Sequence, residues 1–410
     1  MFAPPLVTAS FTAEGIRAAP VPPRVPAPKP WRIMLLVSNL WTGGGAEGQF
    51  IELALRLKAR GWDLCVASVL PPGGGEVVLS AHGIPVRTLG VSRSSQLPAS
   101  ILRLRRHIRE QKPHILHAHM THAALLARVV RLVEPIPVVI GTLHGLKMYK
   151  DSGTGWRGRE FLGALTRWLP DATTVVCDAA ARHCVAARTA LPRKLRVVPN
   201  GIDTGTFRAD PAVRSATRRS LGIAHEFVWV LAGRFQPVKD HCTLLRAFVQ
   251  VLERHPDSLL LLAGDGPLQG EMVELAQALG IAAKVRFAGV RDDMPALLNA
   301  ADVCVLSSVY EALSMFLLEG AATGLPAVAT DVGGNGDIVL DGVTGFLAPA
   351  GDPNALAQAM LRMARLPEHE RHAMGARARA HIQAQYSIDS VVDHWESLYQ
   401  ELLERRGVRP

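Results

Sequence analysis

The 410 residues are 48% hydrophobic and 20% charged, with a formal net charge of +9. A chain of that length outgrows one hydrophobic core, which predicts two or three domains, and no apolar run reaches the roughly 18 residues of a membrane-spanning helix. Residues 1–205 hold 26 Lys and Arg against 12 Asp and Glu, and residues 206–410 hold 19 against 24, so the first half is expected to meet an anionic substrate or surface. Nucleic acid is not an expected partner, because no nucleic-acid-binding motif or aromatic stacking signature accompanies the positive charge.

Five cysteines (Cys65, Cys177, Cys184, Cys242, Cys304) form no Cys-x-x-Cys pair and read as reduced, buried thiols in the cytoplasm. Residues 1–30 contain eight prolines and read as a disordered tail, with Pro and Glu14 breaking the apolar run that a signal peptide needs. A first buried strand follows at 31–38, then the run Gly43-Gly44-Gly45-Ala46-Glu47-Gly48, a helix up to Gly61 and a second strand at 64–67. Gly43, Gly45 and Gly48 satisfy G-x-G-x-x-G, which raises a dinucleotide dehydrogenase. Against it, the glycines start several residues beyond the strand, and no acid closes the second strand to bind a ribose.

A strand at Val86 and a basic helix over 100–112 come next. His117, His119 and His122 have a spacing that could hold a metal, but no partnering carboxylate stands near. The strand at 138–143 puts His144 at its C-terminal end, where open α/β sheets bind ligands; a hydrogen-bonded core histidine is the alternative. Residues 148–169, with Lys150, Arg157, Arg159, Arg167, Trp156, Phe161 and Trp168, read equally as a membrane-interface segment or as one packed on its own domain. The domain junction is expected around 206–219. A new strand at 227–233 then leads into Arg234 and Lys239, and further strands follow at 259–264 and 285–289.

The stretch 307–339 organises the rest. The apolar run 302–306 ends in Ser307 and Ser308, a helix starts near Ser314 and stops at Gly324 before Pro326, and 327–330 resumes as a strand turned by Gly333-Gly334. A helix N-terminus offers unpaired N–H groups to an anion such as a diphosphate. Glu311 and Glu319 frame it, and an ionised carboxylate accepts two hydroxyl donors, so diphosphate plus diols points to a nucleotide sugar.

The string E-A-L-S-M-F-L-L-E-G-A-A-T-G-L-P-A-V-A-T over 311–330 resembles the E-x7-E signature of the retaining glycosyltransferases of family 4, with Ala312 in place of the usual glycine. Gly44-Gly45-Ala46-Glu47 is similar to that family's G-G-A-E, 142–145 to its T-x-H-G, 197–203 to its V-x-P-N-G-V-D, and 233–240 to its G-R-x-x-x-x-K-D. Asp337 stands where most members have glutamate. The resemblance covers about residues 31–403.

It implies the α/β GT-B fold: two Rossmann-like domains facing across a cleft, with a C-terminal helix crossing back to the first. The H-x-H of His117 and His119 is implied to close a strand facing that cleft. The expected divisions are 1–30 (tail), 31–206 (acceptor side), 207–385 (nucleotide-sugar side) and 386–410 (crossover helix). The implied reaction is retaining transfer of a hexose from a nucleoside diphosphate sugar, with UDP the expected carrier, to a glycan or lipid-linked acceptor, without metal or cofactor. His144, Glu311, Arg234 and Lys239 are the expected catalytic residues. Gly44, Gly45, Ser314, Met315, Phe316, Glu319 and Val290 are expected to bind substrate. The location implied is cytoplasmic, with peripheral contact to an anionic membrane surface. Another GT-B activity, such as a nucleotide-sugar 2-epimerase or glucan synthase, and a non-catalytic nucleotide-sugar-binding protein stay open as alternatives.

Overall fold

The structure is a computed structural model that describes residues 29–41, 44–71, 73–91, 97–145 and 154–409. The proline-rich tail, Gly43, Met148, Lys150 and the side chains of Trp156, Arg157 and Arg159 lie outside the described residues. Seven strands form one sheet: β1 (Arg32–Val37), β2 (Asp63–Ser68), β3 (Val86–Thr88), β4 (Ile115–His119), β5 (Val138–Leu143), β6 (Ala172–Val175) and β7 (Leu195–Val197), in the order β3-β2-β1-β4-β5-β6-β7. Six more form a second: β8 (Phe227–Ala232), β9 (Ser258–Ala263), β10 (Val285–Gly289), β11 (Val303–Leu306), β12 (Ala327–Thr330) and β13 (Gly345–Ala348), in the order β10-β9-β8-β11-β12-β13.

Every strand pair in both sheets is parallel. Helices therefore cover both faces, which is why β1, β9 and β11 are apolar almost throughout and buried along nearly their whole length. These are two Rossmann-like sheets. In each the strand order reverses once, between β1 and β4 and between β8 and β11, and the carboxyl ends at such a reversal leave a crevice for ligands.

The chain crosses between the sheets twice, and the crossings run side by side. The Ile202 N–H donates to the Tyr386 carbonyl at 2.8 Å, and the Ile388 N–H to the Ile202 carbonyl at 2.9 Å. The last helix, Ile388–Arg405, starts at Ser387, whose side chain accepts the Ser390 N–H, and returns to the first sheet. There Trp395 and Tyr399 join the core containing β1, β2 and Trp62. The stretch expected as a junction holds a full helix, Pro211–Ser220, capped by Asp210 and tied to the second sheet by an ion pair of 2.7 Å between Arg214 and Asp302. Proline at the first helical position and an Asp cap begin it.

Candidate active site

The helix Met315–Thr323 presents apolar or small residues on most sides. Phe316, Leu317 and Leu318 are buried, and Gly320 lies against Cys304 of β11. Burying each large side chain contributes about 1.5–3 kcal/mol, which fixes this short helix in place. Ser314 caps it from an extended backbone, its Oγ accepting the Leu317 N–H at 3.4 Å, and Gly324 ends it at φ 89°. The N–H groups of Met315 and Phe316 have no acceptor within the helix. They stand at the interdomain cleft, where a Cβ placed on Gly45 would lie 3.1 Å from Met315 Cγ.

The loop before this helix carries Glu311. Its Oε1 accepts from Lys239 Nζ at 2.5 Å and from Ser308 Oγ at 2.7 Å, while Ser307 Oγ donates to the Lys239 carbonyl at 2.9 Å. The ends of β8 and β11 are thereby joined at the topological reversal. The loop is braced from behind by Gly333, at φ 58°, where any Cβ would collide with the Glu311 carbonyl. The Gly334 N–H donates to the Ala312 carbonyl at 2.9 Å. Arg234, just past β8, is exposed and has no side-chain partner among the described residues; the turn at Asp265 holds its neighbour through a bond of 2.7 Å from the Phe235 N–H.

Glu319 is half-buried on the same helix, and its carboxyl has no hydrogen-bond donor among the described residues. Burial pushes it up from the usual 4.5 to about 7. Hydroxyl donors reaching this group would favour its ionised form. Val290, in the loop after β10, is 62% exposed.

On the first sheet, Gly44 caps the helix Gly45–Ala59, and the Glu47 carboxylate folds back over it. Gln49 of this helix grips the crossover: its Nε2 donates to the Gly201 carbonyl at 2.6 Å, and its Oε1 accepts the Gly201 N–H at 2.8 Å. His144 lies at the end of β5 with its Nε2 3.0 Å from His119 Nδ1, so one of the two rings donates to the other. Burial lowers its pKa to about 4, opposed by Asn200, and His144 is neutral at ordinary pH. Its Nδ1 is buried and has no partner of good hydrogen-bond geometry among the described residues.

The expected cleft role of the H-x-H pair needs correction. His117 and His119 are both buried, at 0% and 1% exposure. His117 Nδ1 meets Tyr399 Oη and its Nε2 meets Thr142 Oγ1, both at 2.7 Å. The ring packs 4.6 Å from Trp395, centroid to centroid. The returning C-terminal helix covers this pair. Glu311, Lys239 and Arg234 cluster around the β8–β11 reversal, and Met315 and Gly45 meet across the cleft. His144 belongs to the first sheet's own network. Sequence reasoning missed Ser308 and Asn200; the position of Ser307-Ser308 directly after a buried strand was the available signal.

Residues 43–206 match Glycosyltransferase Family 4, and residues 226–365 match Glycosyl transferases group 1. The chain is 30% identical over 360 residues to the D-inositol 3-phosphate glycosyltransferase of Actinosynnema mirum, covering 79% of this chain and 84% of that one. It is 26% identical over 317 residues to the UDP-Gal:alpha-D-GlcNAc-diphosphoundecaprenol alpha-1,3-galactosyltransferase of Escherichia coli, covering 74% and 79%. The crystal structure of Anabaena Alr3699/HepE in complex with UDP has the same fold, with a TM-score of 0.81 at 21% identity, covering 90% of this chain and 100% of that one. The same neighbour is also known in complex with UDP-glucose. Family matches on both sheets, relatives at this coverage and two facing Rossmann-like sheets make this chain a GT-B glycosyltransferase of family 4.

Proposed function

We propose that the protein transfers a hexose, with retention of configuration and without a metal ion, from a UDP-sugar to a glycan or lipid-linked acceptor. The observation that carries this reading is the cluster at the β8–β11 reversal. It combines the Lys239–Glu311 pair, a capped helix N-terminus, and an Arg234 guanidinium and a Glu319 carboxyl that have no side-chain partner among the described residues. Arg234 and Lys239 hold the diphosphate, aided by the N–H groups of Met315 and Phe316. Each contact strengthens as negative charge gathers on the departing phosphate, which makes them the main catalytic term.

Glu319 accepts the ribose hydroxyls, and the free Oε2 of Glu311 accepts hydroxyls of the transferred sugar. Val290 borders the base through its backbone. Gly44 and Gly45 let donor and acceptor approach closely, and His144 serves the sugar after a ring rotation that breaks its bond to His119. UDP as carrier is supported by the neighbour's complexes, and a lipid-linked acceptor by the Escherichia coli relative's name.

The extents 31–206 and 207–385 are proposed for the two domains, and 386–410 for the crossover segment. A membrane surface is the proposed second partner. Phe161, Leu165 and Trp168 are exposed, and Lys194 donates to the Trp168 carbonyl at 2.7 Å beside Arg193, placing cations around an apolar patch. No helix among the described residues is long and apolar enough to cross a membrane.

The test is a screen of UDP-, GDP- and ADP-sugars for thermal stabilisation, followed by turnover of the best donor in excess EDTA. A UDP-sugar should stabilise, turnover should survive EDTA, and Arg234→Ala should lose about a hundredfold in rate. Loss of turnover with EDTA and its rescue by manganese would overturn the metal-free reading of the diphosphate site.

A further inference from the structure

Trp41 follows β1 by four residues, on the carboxyl rim of the first sheet where its strand order reverses. It stands three positions before Gly44, and the adjoining Gly45 is the point where the first sheet's loop approaches Met315 of the second domain. The residue is 65% exposed, whereas its neighbour Leu40 is fully buried. The indole therefore stands in water on this rim while the residue before it is packed into the core.

The hold is specific. The Leu40 carbonyl accepts the Gly75 N–H at 3.1 Å, and the Trp41 N–H donates to Asn39 Oδ1 at 3.2 Å. A Cβ on Gly73 would lie 2.9 Å from both Trp41 Cδ1 and the Leu40 carbonyl, so only glycine lets the loop after β2 support the indole edge. Two loops at the rim thus combine to fix one exposed aromatic ring.

We propose that Trp41 is the platform on which a pyranose ring of the acceptor stacks. This rests on the glycosyltransfer reading above and adds the acceptor's contact on the first domain. A pyranose has hydroxyls around its rim and an apolar C–H face, and the negative face of an indole attracts such polarised C–H groups while burying apolar area. The face of the ring carries partial negative charge and repels an anion, so the platform suits the sugar ring of the acceptor and not a diphosphate attached to it. Because the indole is already positioned, stacking costs little further ordering.

The experiment labels the full chain with 5-fluorotryptophan and follows the fluorine resonances of Trp41 and Trp168, assigned with Trp41→Phe and Trp168→Phe. Methyl α-glycosides of glucose, galactose, mannose and N-acetylglucosamine are titrated in the presence of UDP. At least one should move the Trp41 resonance in a saturable way and leave Trp168, a second well-exposed indole at 59%, in place. For that sugar, Trp41→Ala should weaken binding on the order of tenfold, Trp41→Phe should restore most of it, and both should keep the parent's UDP-induced thermal shift. No glycoside moving Trp41, equal movement of Trp168, or movement of Trp41 by phosphatidylglycerol vesicles alone would each overturn the proposal. Failure of UDP to stabilise the parent protein would count against the donor reading, while the glycoside titration still decides the role of Trp41.

Discussion

Replacing Glu319 with glutamine separates the stability of this fold from its function. Burial holds the Glu319 carboxyl at about 7 in place of 4.5, so the folded state binds its proton more tightly than the unfolded state does. Folding is therefore opposed by this group as pH rises through 4.5, and the opposition is complete above pH 7. The shift corresponds to at most about 3 kcal/mol, and partial exposure of the side chain brings the expectation to about 1–3 kcal/mol. A glutamine side chain cannot ionise, so the Glu319→Gln variant should match the parent near pH 4.5 and exceed it by roughly 5 °C in Tm at pH 8.

The cost should appear in donor binding. An ionised carboxylate accepts two hydroxyls, and an amide oxygen without charge accepts them more weakly. The assay is thermal melting of both proteins between pH 4.5 and 8, with and without UDP. The variant should show a smaller UDP-induced shift at pH 8 despite its higher baseline. A Tm difference independent of pH would refute the desolvated carboxylate. A UDP shift equal to the parent's would refute its contact with the ribose.

The 2.5 Å pair of Lys239 and Glu311 predicts that the two residues act as one unit. Lys239→Ala and Glu311→Gln should each lower turnover on the order of a hundredfold, and the double variant should lose far less than the product; strict multiplicativity would show independent roles. The basic first half and the exposed Phe161, Leu165 and Trp168 predict binding to anionic vesicles that salt releases, weakened by Phe161→Ser with Trp168→Ser. Binding that salt leaves unchanged would rule out the electrostatic contribution.

Much of this was legible because it is local. The buried strands of β1, β5, β8, β9 and β11 are continuous apolar runs, and a serine cap and a terminal glycine bound the helix Met315–Thr323 at its two ends. The string from Glu311 to Thr330 carries its own spacing, so the signature could be read without a fold. Proline at the start of the helix Pro211–Ser220 is an equally local signal, yet polar residues fill most of that helix and give it the composition of a linker.

The sequence by itself determined the two parallel sheets, the order of the motifs and the carboxylates on either side of one helix N-terminus. Only the tertiary structure decided what each polar group faces. His117 and His119 share one face of β4, but that face became interior because Tyr399, 282 residues after His117, returns on the last helix to cover it. Lys239 and Glu311 are 72 residues apart and meet because the strand order reverses between β8 and β11. Glu319 has an ordinary helical position, and its raised pKa comes from the elements packed around it. Hydrogen bonding and desolvation depend on neighbours that are distant in the chain, so no window of sequence contains them.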